Sequence, residues 1–205
     1  MCNQKARSRR DEYAELTKKA IAEAARKLFS ERGFFATKVD EIAALARVAP
    51  ATVYAVSGGK QGLLRALIED YSTASIIAET LEHITKSDDP KKALRTLASA
   101  CRMMREEHQD TIRVMLDTAP HDQTVADAAA IATARYRRAL LSITQHLSGI
   151  GGLRDDISLT EGTDILWFYF GYTGLFVLHD DNGWSYEQAE AWLFEQASRA
   201  LLRDP

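Results

Sequence analysis

The residues able to do chemistry are sparse and poorly placed for catalysis. The five histidines stand at 83, 108, 121, 146 and 179, and none lies four residues from another or from a cysteine. No helix would therefore present a metal-ligating pair. Cys2 and Cys101 are far apart, which gives neither a disulfide framework nor a metal pattern and suits a reducing, cytoplasmic setting. Asp180-Asp181 beside His179 reads as a turn between helices, and no glycine-rich phosphate loop follows a strand. An enzyme, a metal or a cofactor is not expected. One stretch is built for contact instead: "VAPATVYAVSGGK", Val48 to Lys60. Its side chains are small and apolar apart from one threonine and one tyrosine, and it closes on Gly-Gly-Lys.

The elements that carry this stretch are helical. No strand alternation runs beyond a few residues, and helical spacing covers almost the whole chain. The expected helices are Asp11 to Arg32, Lys38 to Ala46, Pro50 to Val56, Lys60 to Ile84 and one starting at Pro90. A short helix follows a break near Glu107-His108 and ends by Pro120; then come Asp122 to Leu147, Thr160 to His179 and Ser185 to Leu202. The result is an all-α chain of nine helices. The first has an apolar face of Leu16, Ile21, Ala24, Ala25, Leu28 and Phe29. Gly33 is its left-handed cap, with Phe34 folded back on the last turn. Thr37, three residues before Asp40, has the spacing of a capping box. Pro50 suits a first helical position, where its missing N–H would have been unpaired anyway.

Charge divides the chain. Residues 1–62 carry 12 Lys+Arg against 7 Asp+Glu, a net +5, while residues 63–205 carry 14 against 22, a net −8. A basic end on an acidic body predicts two parts with different partners. The expected boundary leaves residues 1–62, with a basic tail at 1–10, as one domain and 63–205 as the other. Within the basic part, helices two and three form a helix-turn-helix, the geometry that lays its second helix in a DNA major groove. An ordinary helical hairpin has the same outline.

The segment "AIAEAARKLFSERGFFATKVDEIAALARVAPATVYAVSGGKQGLLRAL" resembles the N-terminal domain of the TetR family of transcriptional repressors. The likeness rests on "AARKLFSERGF", Thr37, "VDEIA", "TVY" at Thr52 to Tyr54, and Lys60 with Leu63 and Leu64, and covers roughly residues 17–67. It implies that Thr37 caps helix two and meets a phosphate, that Thr52 and Tyr54 face DNA, and that Lys60 meets a backbone phosphate at a helix N-terminus. Lys38 joins this set. Arg47 stands where the family has glycine, Ala49 where it has a serine cap, and Ser57 where it has an aromatic residue. A left-handed Arg47 would cost about 1 kcal/mol, and its charge would lie beside the DNA. Ala49, Pro50 and Ala51 have no hydrogen-bonding side chains, so they would meet thymine methyls and allow close backbone approach. Phosphate contacts from Thr37, Arg47, Tyr54 and Lys60 would then supply most of the affinity, and the tail Lys5 to Arg10 could enter a minor groove.

The body has other work. Its longest nearly apolar run, "ILWFYFGYTGLFVL" from Ile165 to Leu178, is 14 residues, too short to span a bilayer. No membrane partner and no secretory signal are expected. A helix apolar almost all round must be covered on every side. A two-fold homodimer is expected on Gly171, Gly174, Leu175 and Leu178 of this helix with Tyr186, Ala189, Leu193, Ala197 and Ala200 of the last. The resemblance implies a small-molecule pocket here, with Met103, Met104, Tyr136, Trp167, Phe168 and Tyr172 as candidate walls. It also implies that ligand shifts helix four and so the spacing of two recognition helices on a palindromic operator. The rival readings are a helical-bundle ligand-binding protein or enzyme with an N-terminal domain that no longer binds DNA, and a protein that uses the helix-turn-helix as a protein contact.

Overall fold

The computed structural model describes residues 9–203. Within them the chain forms two compact units, one of residues up to 71 with 113–129 and one of residues 72–112 with those from 130 on. Among the described residues there are helices and one isolated bridge, Leu153 to Leu202, but no strand. Of the basic tail, residues 1–8 lie outside this description, and Arg9 and Arg10 open the first helix.

In the first unit, α1 (Arg9–Arg32) buries Ile21, Ala24, Ala25, Leu28 and Phe29, the stripe that 3.6-residue periodicity places on one face. Leu16 stands outside that stripe, 64% exposed, contrary to its expected place. Gly33 is left-handed at φ 79°, its N–H donates to the Phe29 carbonyl at 2.9 Å, and the Phe34 ring returns to within 5.3 Å of the Phe29 ring. Helices α2 (Val39–Ala46), α3 (Pro50–Ser57) and α4 (Lys60–Ser72) follow. The helix expected from Lys60 to Ile84 is interrupted at Thr73-Ala74, so that α5 (Ser75–Thr85) is separate. The Ser72-Thr73-Ala74-Ser75 stretch is rich in weak helix formers, which favours a break there, and the Ser72 hydroxyl accepts from Arg135 Nη1 at 3.0 Å.

α6 (Pro90–Thr118), whose residues 90–112 belong to the second unit, starts as a capped proline helix, with Asp89 Oδ1 accepting the Lys91 and Lys92 N–H groups at 2.9 and 3.1 Å. The break expected at Glu107-His108 is a kink at His108 (φ −118°, ψ 15°), across which the helix continues. α7 (Gln123–Gly149), α8 (Leu159–Phe170), a single turn α9 (Gly174–Phe176) running into a π-turn at Val177–Asp181, and α10 (Tyr186–Leu201) complete the chain. Ser158 and Ser185 cap α8 and α10 by accepting the N–H groups of Glu161 and Gln188. The core of this unit joins Leu94, Leu97, Leu140, Leu147, Leu166 and Leu193 with their neighbours.

The apolar helix expected from Thr160 to His179 is therefore broken after Phe170. Gly171 needs its missing side chain, because a Cβ there would lie 2.4 Å from the Trp167 carbonyl oxygen. The released carbonyls are answered from inside the unit. Tyr136 donates to the Phe170 oxygen at 2.6 Å, and Arg105 Nη2 donates to the Phe170 and Gly171 oxygens at 3.3 and 3.0 Å. Arg105 is only 1% exposed. A break in a buried helix costs little when the freed acceptors find donors.

Candidate nucleic-acid interface

The outward face of the first unit is built by a tight turn and a short helix. α2 ends at Arg47, which is left-handed at φ 57°, ψ 43°, with Val48 N–H donating to the Ala43 carbonyl at 2.9 Å. Arg47 thus takes the backbone conformation that suits glycine, at a cost of about 1 kcal/mol, and its side chain is exposed. α3 then starts without a side-chain cap. Ala49 is extended (φ −73°, ψ 147°), and Pro50 occupies the first turn.

α3 buries one side chain only, that of Val53. Ala49, Pro50, Ala51, Tyr54 and Ala55 face outward, and Thr52 is half-buried. Tyr54 is 56% exposed, and the edge of its ring lies against Gly59. At Gly59 a Cβ would come 3.3 Å from Tyr54 Cε1, and its φ of 109° favours glycine in any case. The face is thus small, apolar and flat, with one phenol and one guanidinium on its edges. Lys38, also exposed, begins α2.

Ser57, which replaces an expected aromatic residue, closes the turn between α3 and α4 by hydrogen bonding. Its hydroxyl donates to the Val53 carbonyl at 2.8 Å and accepts the Gly59 N–H at 3.3 Å. α4 then approaches α3 so closely that a Cβ on Gly62 would stand 1.7 Å from the Ser57 carbonyl oxygen. The packing of the two helices is set by a hydroxyl and a missing side chain.

Two expected phosphate contacts are placed differently. The Thr37 hydroxyl is buried and donates to the Gly33 and Leu28 carbonyls at 2.8 and 3.2 Å, so it serves the end of α1 and not the start of α2. The N-cap of α2 is Lys38, one residue later than the Thr37–Asp40 spacing predicts, and Glu41 accepts its N–H at 2.9 Å. That Lys38 N–H, with the Arg32 guanidinium at 2.8 Å, holds the Glu41 carboxyl below its ordinary pKa. Lys60 Nζ points inward too, at the carbonyls of Phe34, Phe35 and Thr37.

In the second unit, three of the expected pocket walls do meet. Tyr136, Trp167 and Tyr172 have ring centroids 5.4–6.0 Å apart, and Met104 is buried. Met103 and Phe168 are 47% and 75% exposed and stand apart from this cluster; Phe168 instead lines an open groove of about 480 Å³ with Glu161, Asp164, Ile165, Tyr169 and Ala200. Spacing alone placed them on an inner face that the helix turns outward. An enclosed cavity lies nearby, lined among others by Cys101, Arg105, Tyr169, Phe170, Leu175 and Glu190, with room of about 10 Å³, a single water. Sequence reading missed Arg105 and Glu190; a charged residue within an apolar helical stripe was the available signal. Cys101 is hydrogen-bonded to the Tyr136 hydroxyl at 3.0 Å, and burial pushes its thiol pKa up.

The expected pairing surface also needs correction. Leu175, Leu178, Ala189, Leu193 and Ala197 are buried in the chain's own core, Gly171 is buried at the helix break, and Gly174, Tyr186 and Ala200 are half-buried. Helical spacing selects the core face of a helix, and these residues belong to it. The large apolar side chains left outside on these elements are Leu159, Phe168, Val177 and Trp192.

Comparison with known proteins agrees with this geometry. Residues 21–67 match the family model for bacterial regulatory proteins of the tetR family. No curated protein sequence matches the chain. Among solved structures, the SmeT–triclosan complex is similar with a TM-score of 0.76 and 18% identity over 92% of both chains. The fatty acid degradation regulator FadR from Bacillus halodurans has a TM-score of 0.77 and 14% identity, over 89% of this chain and 94% of its own. A TetR-family protein from Mesorhizobium loti has a TM-score of 0.72 and 16% identity, over 96% of this chain and all of its own.

Proposed function

We propose, from a TetR-type helix-turn-helix domain carried on a TetR-type fold, that this chain is a homodimeric transcriptional repressor. It would be released from a palindromic operator by a small apolar or amphipathic effector. The observation that carries the reading is the outward face of α3. A helix that buries Val53 alone and shows alanine, proline and tyrosine to solvent gains little from its own fold. It gains from a partner whose surface is narrow, methyl-bearing and anionic at its rim. A major groove is such a surface, with thymine methyls at its floor and phosphates within reach of Arg47, Lys38 and Tyr54.

In this reading residues 1–62 bind DNA, and 63–205 pair the chains and receive the effector. Leu159, Phe168, Val177 and Trp192 are the side chains offered to a second copy. SmeT was solved with triclosan, and an effector of comparable size would enter the second unit beside Tyr136, Trp167 and Tyr172. A dimer reads two half-sites about 34–36 Å apart. An effector that favours a form with another spacing lowers operator affinity by a population shift.

The test is selection of duplexes from a random pool by the purified protein, followed by titration with salt. A recovered palindrome and a steep fall of log affinity with log salt are expected. Retention of no sequence, with the protein monomeric in sedimentation, refutes the proposal.

A further inference from the structure

Resting on the proposed effector-responsive function, we infer that the effector is an amphipathic carboxylate whose anionic head pairs with the buried guanidinium of Arg105. Arg105 stands on α6 with 1% of its surface exposed. A guanidinium keeps its proton at any working pH, so a full positive charge sits inside the second unit. Its Nη2 donates to two backbone oxygens, those of Phe170 at 3.3 Å and Gly171 at 3.0 Å. Both acceptors are neutral. A carboxylate at the same nitrogen forms a bond roughly twice as strong.

The groups around this charge select the sign of a ligand. The charged residues lining the cavity are Arg105 and Glu190. Glu190 is already committed: Oε1 accepts from the Ser99 hydroxyl and Oε2 from Arg102 Nε, both at 2.5 Å. Its charge is thus answered by an arginine that does not line the cavity. The Tyr136 hydroxyl donates to the Phe170 oxygen at 2.6 Å and lies 3.0 Å from the Cys101 thiol. Both carry protons that a carboxylate accepts. Ala98, Leu175 and Leu193 supply apolar wall for the rest of the molecule. Aromatic rings alone would suit a quaternary ammonium. Here the Arg105 guanidinium carbon lies 5.5 Å from the Tyr172 ring centroid and 6.0 Å from that of Tyr136. A cationic ligand at those rings would be repelled by this charge, and an anionic one is drawn to it.

Binding is an exchange of partners. When Arg105 turns to a carboxylate, the Phe170 oxygen keeps the Tyr136 hydroxyl. The bond given up is chiefly the one to Gly171, where α8 has already broken. The carboxylate therefore replaces a structural contact at the break and leaves the helices on either side intact.

The experiment measures binding to the full chain, without DNA, by isothermal titration. A decyl and a naphthylmethyl body are each offered as carboxylate, primary amide and amine. The readout is the ratio of carboxylate to amide affinity, which cancels any effect of a variant on how the body packs. In the wild type at least one body is expected to bind about thirtyfold tighter as carboxylate than as amide, with the amine weaker still. Arg105→Met should bring that ratio to about one. Arg105→Lys should keep most of it, because the charge remains. Tyr136→Phe also loosens the break but removes no charge, and should lower the ratio by no more than about threefold. Each variant is titrated at a temperature where circular dichroism shows it folded, and Arg105→Gln replaces Arg105→Met if the latter does not fold. A wild-type ratio near one, a preference for the amine, or binding of none of these compounds overturns the inference. So does a ratio that survives loss of the arginine. Failure of the functional reading is a separate result: retention of no duplex with the carboxylate preference intact overturns the repressor and leaves this site standing, whereas a recovered palindrome without that preference does the reverse.

Discussion

Helices α3 and α8 are both short and apolar, and their apolar side chains go to opposite places. α8 buries Gly162, Thr163, Leu166 and Phe170, and where it breaks, Tyr136 and Arg105 take up the freed carbonyls. α3 buries Val53 and leaves the rest outside, behind an arginine in a glycine conformation and a cap position held by alanine. The first is explained by the chain around it. The second is only partly so: its strain and missing cap together cost about 2 kcal/mol, and the Val48 N–H bond to the Ala43 carbonyl and Pro50 in the first turn offset only part of that. Natural sequences break local rules where function lies. On the proposed function, the comparison assigns the reading surface to α3 and the structural investment to the second unit.

The sharpest way to break that comparison is to add one methyl group inside the reading unit. Gly62→Ala puts a carbon 1.7 Å from a backbone oxygen, so α3 and α4 must part. It should cost about 3 kcal/mol in denaturant titrations and abolish retention of the selected duplex. Arg105→Met probes the other region. It leaves the Gly171 carbonyl without its guanidinium donor and should lower stability by about 2 kcal/mol, seen in the same titrations. An unchanged midpoint would show that the α8 break does not depend on Arg105.

Arg47→Gly separates fold from function at one residue. Relief of the left-handed strain should raise stability by about 1 kcal/mol. Loss of the charge should lower the salt slope of DNA binding by about 0.9. If both quantities fall, Arg47 is held by contacts that outweigh its strain. The smallest effect concerns pH. The folded-state pKa of Glu41 is depressed, chiefly by the Lys38 N–H and then by Arg32. Its contribution is therefore present above its ordinary pKa of 4.5 and is lost as pH falls through the lower folded value. Glu41→Gln should lower stability near neutrality, where the carboxylate's contribution is complete, and converge on the wild-type value at acid pH, so that the profile flattens on that side.

What the sequence made legible follows from the range of the interactions. Local signals served well: the Gly33 cap, the Phe34 return and the proline starts at Pro50 and Pro90 each depend on neighbours within a few residues. Lys60 and Arg105 were misread or passed over because their acceptors lie 23–26 and 65–66 residues away. A capping box was read from Thr37 because the pattern is local, while the hydroxyl's partner, Leu28, belongs to the preceding helix. The pairing and pocket residues were chosen by periodicity. Periodicity finds the face turned to the core and is silent on which large apolar residues stay exposed, as Phe168 and Trp192 illustrate.

The cavity beside Arg105 holds a single water's worth of space, and this bears on time as much as on affinity. A molecule larger than water cannot diffuse into it as it stands. On the proposed function, an effector using this site must wait for the wall of Tyr169, Phe170 and Leu175 to open, so its arrival is paced by how often the core breathes, and its rate should level off as concentration rises. Its apparent affinity is the intrinsic value scaled by the open fraction. A substitution that loosens this wall, far from any atom the visitor touches, would then sensitise the response without altering recognition.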